Sequence, residues 1–117
     1  MPQFIIKVDP KRDAYIEWST VVDAPVSIGT RAYYAARDGD ERLQRADMAG
    51  TTARYFDWLP HAQQAGGWDD YGLIYGQDGS RGMWLPRARF GDLYDLLDTD
   101  INAQAPTEWL EPIGDAS

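Results

Sequence analysis

The chain has 117 residues, no cysteine, 44% apolar and 13% aromatic residues, and a formal net charge of −8. That composition suits one small globular domain rather than a disordered chain. It excludes disulfides, cysteine-ligated metals and thiol nucleophiles, and its acidity argues against direct binding to a nucleic-acid backbone.

The chain opens with a compact apolar strand, Phe4-Ile5-Ile6-Lys7-Val8. Lys7 follows the short apolar run, so the segment does not read as a secretory signal. Asp9 to Asp13 is a turn, with Pro10 fixing φ and Asp bonding its own backbone. Tyr15 to Val22 is rich in β-branched and aromatic residues and returns as the second arm of an antiparallel hairpin. Alternation places Ile16, Trp18 and Thr20 on one face, and Tyr15, Glu17 and Ser19 on the other. Asp23-Ala24-Pro25-Val26 reads as the end of that strand, because proline lacks the ladder donor.

Thr30 to Arg37 reads as a helix, with Thr30 as its cap and Gly39 beyond its end. Asp40 to Ala49 reads as a second helix, with Asp40 as N-cap and Gly50 as its left-handed stop. Its few apolar contacts would be Leu43, Ala46, Met48 and Ala49. Residues 51–70 look irregular, yet Tyr55-Phe56-Asp57-Trp58-Leu59 is too apolar to stay in water and is expected to wrap the core. Tyr71 to Gly76 is a third strand. A glycine-rich turn, 77–82, leads to a short return strand at Met83-Trp84-Leu85. Pro86 then opens a helix where its missing N–H costs nothing. Phe90, Leu93, Tyr94, Leu97 and Ile101 form one buried stripe on it. Thr107 to Ile113 reads as a final segment docked by Trp109 and Leu110.

These elements predict an α+β fold. A small antiparallel sheet, from the hairpin 3–8/14–22 plus the strand 71–76, packs against two or three helices at 30–37, 40–49 and 86–98. Residues 1–113 form one domain, and 114–117 fray as an acidic C-terminus. No apolar run approaches the ~20 residues of a membrane helix, so the expected location is the cytoplasm.

The charge is unevenly placed. Residues 1–37 carry net +1, residues 38–89 net −2 and residues 90–117 net −7, and Arg89 is the last cation. The carboxylates concerned are Asp92, Asp95, Asp98, Asp100, Glu108, Glu111 and Asp115. Such a block serves either as a solvated face or as a surface for a basic partner. Arg87 and Arg89 at the start of the last helix, and Asp95 and Asp98 toward its end, oppose the helix dipole. Those charges therefore either pair elsewhere in the fold, with the 69–70 carboxylates among the choices, or serve a surface.

Catalytic patterns are sparse. His61 is the one histidine, and Ser19, Ser27 and Ser80 lack a nucleophile elbow. Asp69-Asp70 are adjacent, so on an extended chain they face opposite ways, which favours turn and capping roles over cation binding. Asp98-Thr99-Asp100-Ile101-Asn102 begins like a calcium loop, but Ala103 and Trp109 stand where glycine and glutamate are required. Residues 76–82 lack the Lys-Ser/Thr ending of a phosphate loop. Trp18, Trp58, Trp68, Trp84 and Trp109 would need a basic groove to form a base-stacking platform, and core packing explains them better. No cofactor or metal site is expected.

Four stretches resemble small proteins encoded by actinobacteria and their bacteriophages: Tyr15 to Arg31, Arg42 to Thr52, Trp68 to Gln77 and Leu85 to Arg89. That group carries no assigned activity, so the resemblance implies a setting and no catalytic residue. In that setting the chain reads as a small acidic protein-binding module acting on a host nucleic-acid-handling or defence protein. Its contact residues would be Asp92, Asp95, Asp98, Asp100, Glu108, Trp109 and Glu111, and its partner a basic protein surface. The alternatives are a structural, virion or assembly protein, with homo-oligomers among its forms, and a carboxylate–metal enzyme using Asp69, Asp70 and His61.

Overall fold

The computed structural model describes residues 3–19, 23–53, 66–76 and 83–112. Strands β1 (Gln3–Lys7), β2 (Tyr15–Ser19) and β3 (Ala24–Gly29) form one antiparallel sheet in that order. Helices α1 (Arg31–Asp38) and α2 (Asp40–Ala49) follow. Strands β4 (Gly72–Tyr75), β5 (Met83–Pro86) and β6 (Glu111–Pro112) form a second antiparallel sheet, and α3 (Phe90–Thr99) lies between β5 and β6 in the chain. The α+β class holds, with two small sheets where the sequence predicted one.

The alternation of the hairpin is the axis of the fold. Ile5 and Tyr15 face one way and pack with Tyr34, Leu43 and Ala46 of α1 and α2. Phe4, Ile6, Ile16 and Trp18 face the other way. There they meet Leu73, Tyr75 and Leu85 of the second sheet and Phe90, Leu93 and Leu97 of α3. The first sheet is thus covered on both faces, and all five residues of β2 are buried. Trp18 is 1% exposed and packs edge-on against Tyr75 at 5.9 Å between ring centroids. This is the geometry aromatic quadrupoles favour.

β3 lies where the sequence marked a strand end. Pro25 is accommodated because β3 is an edge strand, with β2 as its one neighbour in the sheet. Glu17 pairs with Ser27 but Trp18 with Pro25, so Val26 is the extra residue of a bulge. A bulge and a proline both hinder further strand addition at that edge. The opposite edge is covered by the 50–52 segment. Lys7 N–H donates to the Gly50 carbonyl, and Thr52 N–H to the Ile5 carbonyl. The strand expected over 14–22 is ordered as β2 to Ser19, and residues 20–22 lie outside the described residues.

The helix ends show which local signals prevailed. Thr30 accepts the Tyr33 N–H, as a cap should. Gly50 adopts φ +86° and donates to Ala46. A Cβ there would lie 2.8 Å from both the Trp68 nitrogen and an Arg87 nitrogen, so space as well as backbone requires glycine. Asp40 is not the cap of α2; Gly39 holds that place, and the Asp40 carboxylate accepts from Arg31 and Gln44 instead. Pro86 does not open α3. It ends β5 in extended conformation, pairing with Gly72, while Arg87 N–H donates to the Tyr71 carbonyl. A 3-10 turn over Arg87–Arg89 then leads into α3. Because α3 stops at Thr99, Ile101 leaves the buried stripe and is exposed. Met48 is exposed as well. Trp109 and Leu110 pack half-buried against the main core, as a docked final segment should.

Residues 54–65, which include the expected wrapping segment and His61, lie outside the described residues, as do the expected turn at 77–82 and the C-terminal residues 113–117. Among the described residues no helix is long and apolar enough to cross a membrane.

Candidate functional site

α3 turns Phe90, Leu93 and Leu97 inward and leaves Asp92, Asp95 and Asp98 exposed. Three-residue spacing advances each carboxylate about 4.5 Å along the axis. Asp100, Glu108 and Glu111 continue the exposed acidic surface beyond the helix. Two of these groups have cationic neighbours. Asp92 accepts from Arg89 at 3.0 Å, and Asp95 from Arg12 at 2.9 Å. Asp98, Asp100 and Glu108 make no ion pair among the described residues. Asp100 accepts the Asn102 N–H, and Glu111 accepts the Tyr71 hydroxyl. Trp109 sits partly in the core, with the Arg89 guanidinium 5.4 Å from its ring centroid.

The dipole mismatch seen in the sequence has a structural answer at Arg87. Its guanidinium makes no ion pair with the 69–70 carboxylates among the described residues, although the Asp70 charge favours its cationic form. It donates to the backbone carbonyls of Gly66, Gly67, Val8, Lys7 and Gly50 at 2.7–3.3 Å. It also lies 4.4 Å from the Trp68 ring and 5.0 Å from the Phe90 ring. Burial lowers this guanidinium to about 10, so it remains a cation at neutral pH. Three separate segments thereby converge on the residue that begins the 3-10 turn leading into α3. A groove of about 430 Å³ opens beside it, lined by Pro10, Arg12, Trp68, Gly91, Asp92 and Asp95 among others.

The acids near α1 and α2 are held differently. Glu17 accepts two bonds from Arg37, at 2.8 and 3.1 Å, and one from Ser27. Burial would raise the Glu17 carboxyl, but these bonds hold it below its usual range. Arg37 also grips Asp38, which Arg42 joins at 3.1 Å. Ser27 and the Tyr34 hydroxyl lie 2.7 Å apart, and burial raises Tyr34 to about 12. In a second cluster, Asp47 meets Tyr15, Arg31 and Lys7 at 2.5, 2.8 and 3.5 Å. Burial pushes Asp47 upward, and the bonds from Tyr15 and Arg31 bring it below its usual value.

Neither cluster lines the groove, and each carboxylate in them is committed to an internal donor. Asp70 accepts the Gly67 N–H and so shapes its own turn. Among the described residues no three His, Cys, Asp or Glu side chains gather as a metal-binding group. Sequence reasoning located the acidic residues but missed Arg12, Tyr94 and Gly91 beside them. The Arg87–Arg89 mismatch was the one signal that this end of the helix was unusual. Comparison of the chain with known protein families, with curated proteins and with solved structures finds no match.

Proposed function

We propose that the protein is a small acidic binding module that docks on a basic protein surface through α3 and the residues that follow it. The observation behind this reading is that Asp98 on α3, and Asp100 and Glu108 beyond its end, are exposed and make no ion pair among the described residues, while the other side of the helix is fixed in the core. Asp100 shapes its own turn by accepting the Asn102 N–H, a bond that needs no charge. Asp98 lies toward the partly negative end of α3, where a carboxylate is unfavourable by about 0.3–1 kcal/mol. Exposed carboxylates carried on a rigid helix attract a cationic surface and orient it. In the phage setting implied by the resemblance, the partner is a host protein whose basic groove handles nucleic acid or serves defence. The contact set is Asp92, Asp95, Asp98, Asp100, Glu108, Glu111 and the part of Trp109 not covered by Arg89.

The test uses immobilised protein, an actinobacterial lysate and the triple variant Asp98→Asn/Asp100→Asn/Glu108→Gln as control. The expected result is a basic protein retained by the wild type at low salt, lost at high salt and lost with the variant. Identical retention by the variant would sink the acidic docking reading. A partner that resists high salt would instead favour the broad apolar interface of a structural or assembly protein.

A further inference from the structure

The groove beside α3 already holds a guanidinium. Arg12 comes from the turn after β1, is 40% exposed, and reaches Asp95 across 83 positions of sequence. Three features receive it. The Asp95 carboxylate accepts from Nη2 at 2.9 Å. The Tyr94 ring lies beneath the guanidinium carbon, 5.3 Å from its centroid. Gly91 leaves the clearance: a Cβ there would stand 3.2 Å from Nη1. A carboxylate, an aromatic face and a missing side chain are the elements that recognise a planar arginine head. The contact is weakly held, because Asp95 is 64% exposed and an exposed ion pair is typically worth no more than ~1 kcal/mol.

We infer that this is an arginine socket occupied by an internal stand-in: Arg12 rests where an arginine of the basic partner binds, and it must swing out for that arginine to enter. The inference rests on the docking reading above and adds its regulation. Arg12 offsets the charge of Asp95, which stays 64% exposed, so a partner gains most at this position when it offers an arginine that takes Arg12's place. The groove, about 430 Å³, is open to solvent beside Arg12, so the side chain can leave without crossing the core.

The probe is a fluorescein-labelled octa-arginine peptide, with binding followed by anisotropy at low salt. Arg12→Gln should tighten binding by up to about fivefold, the upper end for one exposed ion pair. Lys11→Gln removes the same charge one residue away. Lys11 is exposed and makes no ion pair among the described residues, so its removal should tighten binding distinctly less. In an Asp95→Asn background the Arg12→Gln gain should fall to that of Lys11→Gln, as the loss of the coupling requires. Gly91→Ala keeps every charge but narrows the clearance used by any arginine in the socket, so in the Arg12→Gln background it should weaken octa-arginine binding.

Equal gains from Arg12→Gln and Lys11→Gln would show a net-charge effect alone and overturn the socket. So would a gain that Asp95→Asn leaves undiminished, or one that is as large for octa-lysine as for octa-arginine. If Asp98→Asn/Asp100→Asn/Glu108→Gln leaves octa-arginine binding unchanged in both the wild-type and Arg12→Gln backgrounds, the docking reading itself fails. Thermal melts of each variant separate these effects from loss of fold.

Discussion

The molecule uses carboxylates in two ways, on opposite sides of the first sheet. Near α1 and α2, Glu17 and Asp38 are only 9% and 16% exposed at the side chain, and arginines hold both. On α3, Asp92 and Asp95 are 50% and 64% exposed, and Asp98 and Asp100 follow with no internal cation among the described residues. The first group is committed to the fold, since removing a partner would strand a desolvated charge. In the second group Asp92 and Asp95 have only exposed ion pairs, to Arg89 and Arg12, and Asp98 and Asp100 have none among the described residues, so these charges stay open to an outside cation. Net charge alone does not separate these two populations; burial and partner geometry do.

The sharpest way to break the comparison is at Arg87, the cation that fixes the start of α3. Arg87→Met should remove the shared donor of five carbonyls, in a setting where a buried polar group left unsatisfied costs about 1–3 kcal/mol. We expect a total loss of about 3 kcal/mol by urea unfolding, because the carbonyls can partly relax or hydrate. Arg87→Lys should recover little of it, since an ammonium cannot span the same fork. A loss within ~0.5 kcal/mol, the range of ordinary surface substitutions, would show that α3 is placed by its apolar stripe alone.

Glu17→Ala tests the committed carboxylates directly. It leaves Arg37 and Ser27 without a shared acceptor. Because Arg37 is partly exposed and can turn to Asp38, the cost should be about 2 kcal/mol rather than the ~3–5 kcal/mol of a fully buried pair. Urea midpoints at constant m-value measure it.

Acid titration probes the same side without mutation. The carboxyls of Glu17, Asp38 and Asp47 lie below their ordinary values of 4.5, 3.8 and 3.8. The unfolded chain therefore binds protons that the folded chain refuses, and stability rises with pH across that window. The stabilisation is fully present above about pH 5 and falls away as the pH drops through 4 and below. Asp47→Asn should flatten part of this slope. A wild-type melting temperature unchanged between pH 6 and about 3 would contradict the assignment.

How far the sequence reveals this division depends on how local each signal is. The helix at 40–49, the Thr30 cap and the Gly50 stop need only neighbouring residues, and they were legible. So was the buried stripe Phe90, Leu93 and Leu97. The separation into two sheets was not, because period-two patterning identifies a strand without naming its partner. β3 was hidden by Pro25, whose exclusion from strands lapses at an edge. The acidic residues of α3 were legible as a charge block, but their division into paired and unpaired members was not. Asp95 meets Arg12 from the first turn of the chain, and Arg87 meets carbonyls from three distant segments. Such contacts leave no spacing rule in the sequence.

The smallest expected stability effect is the most telling about function. Asp98→Asn/Asp100→Asn removes two exposed charges, one of them toward the carbonyl end of α3. If these acids served the fold, the variant should be weaker. If they serve a partner, stability should stay level or rise by up to ~0.5 kcal/mol, as the unfavourable dipole term is relieved. Binding of a cationic probe should weaken in the same variant, and more so at low salt, where exposed charges reach furthest. The two readouts move in opposite directions only if the carboxylates are kept against the local preference of the helix, the pattern expected of residues retained for a surface rather than for a core.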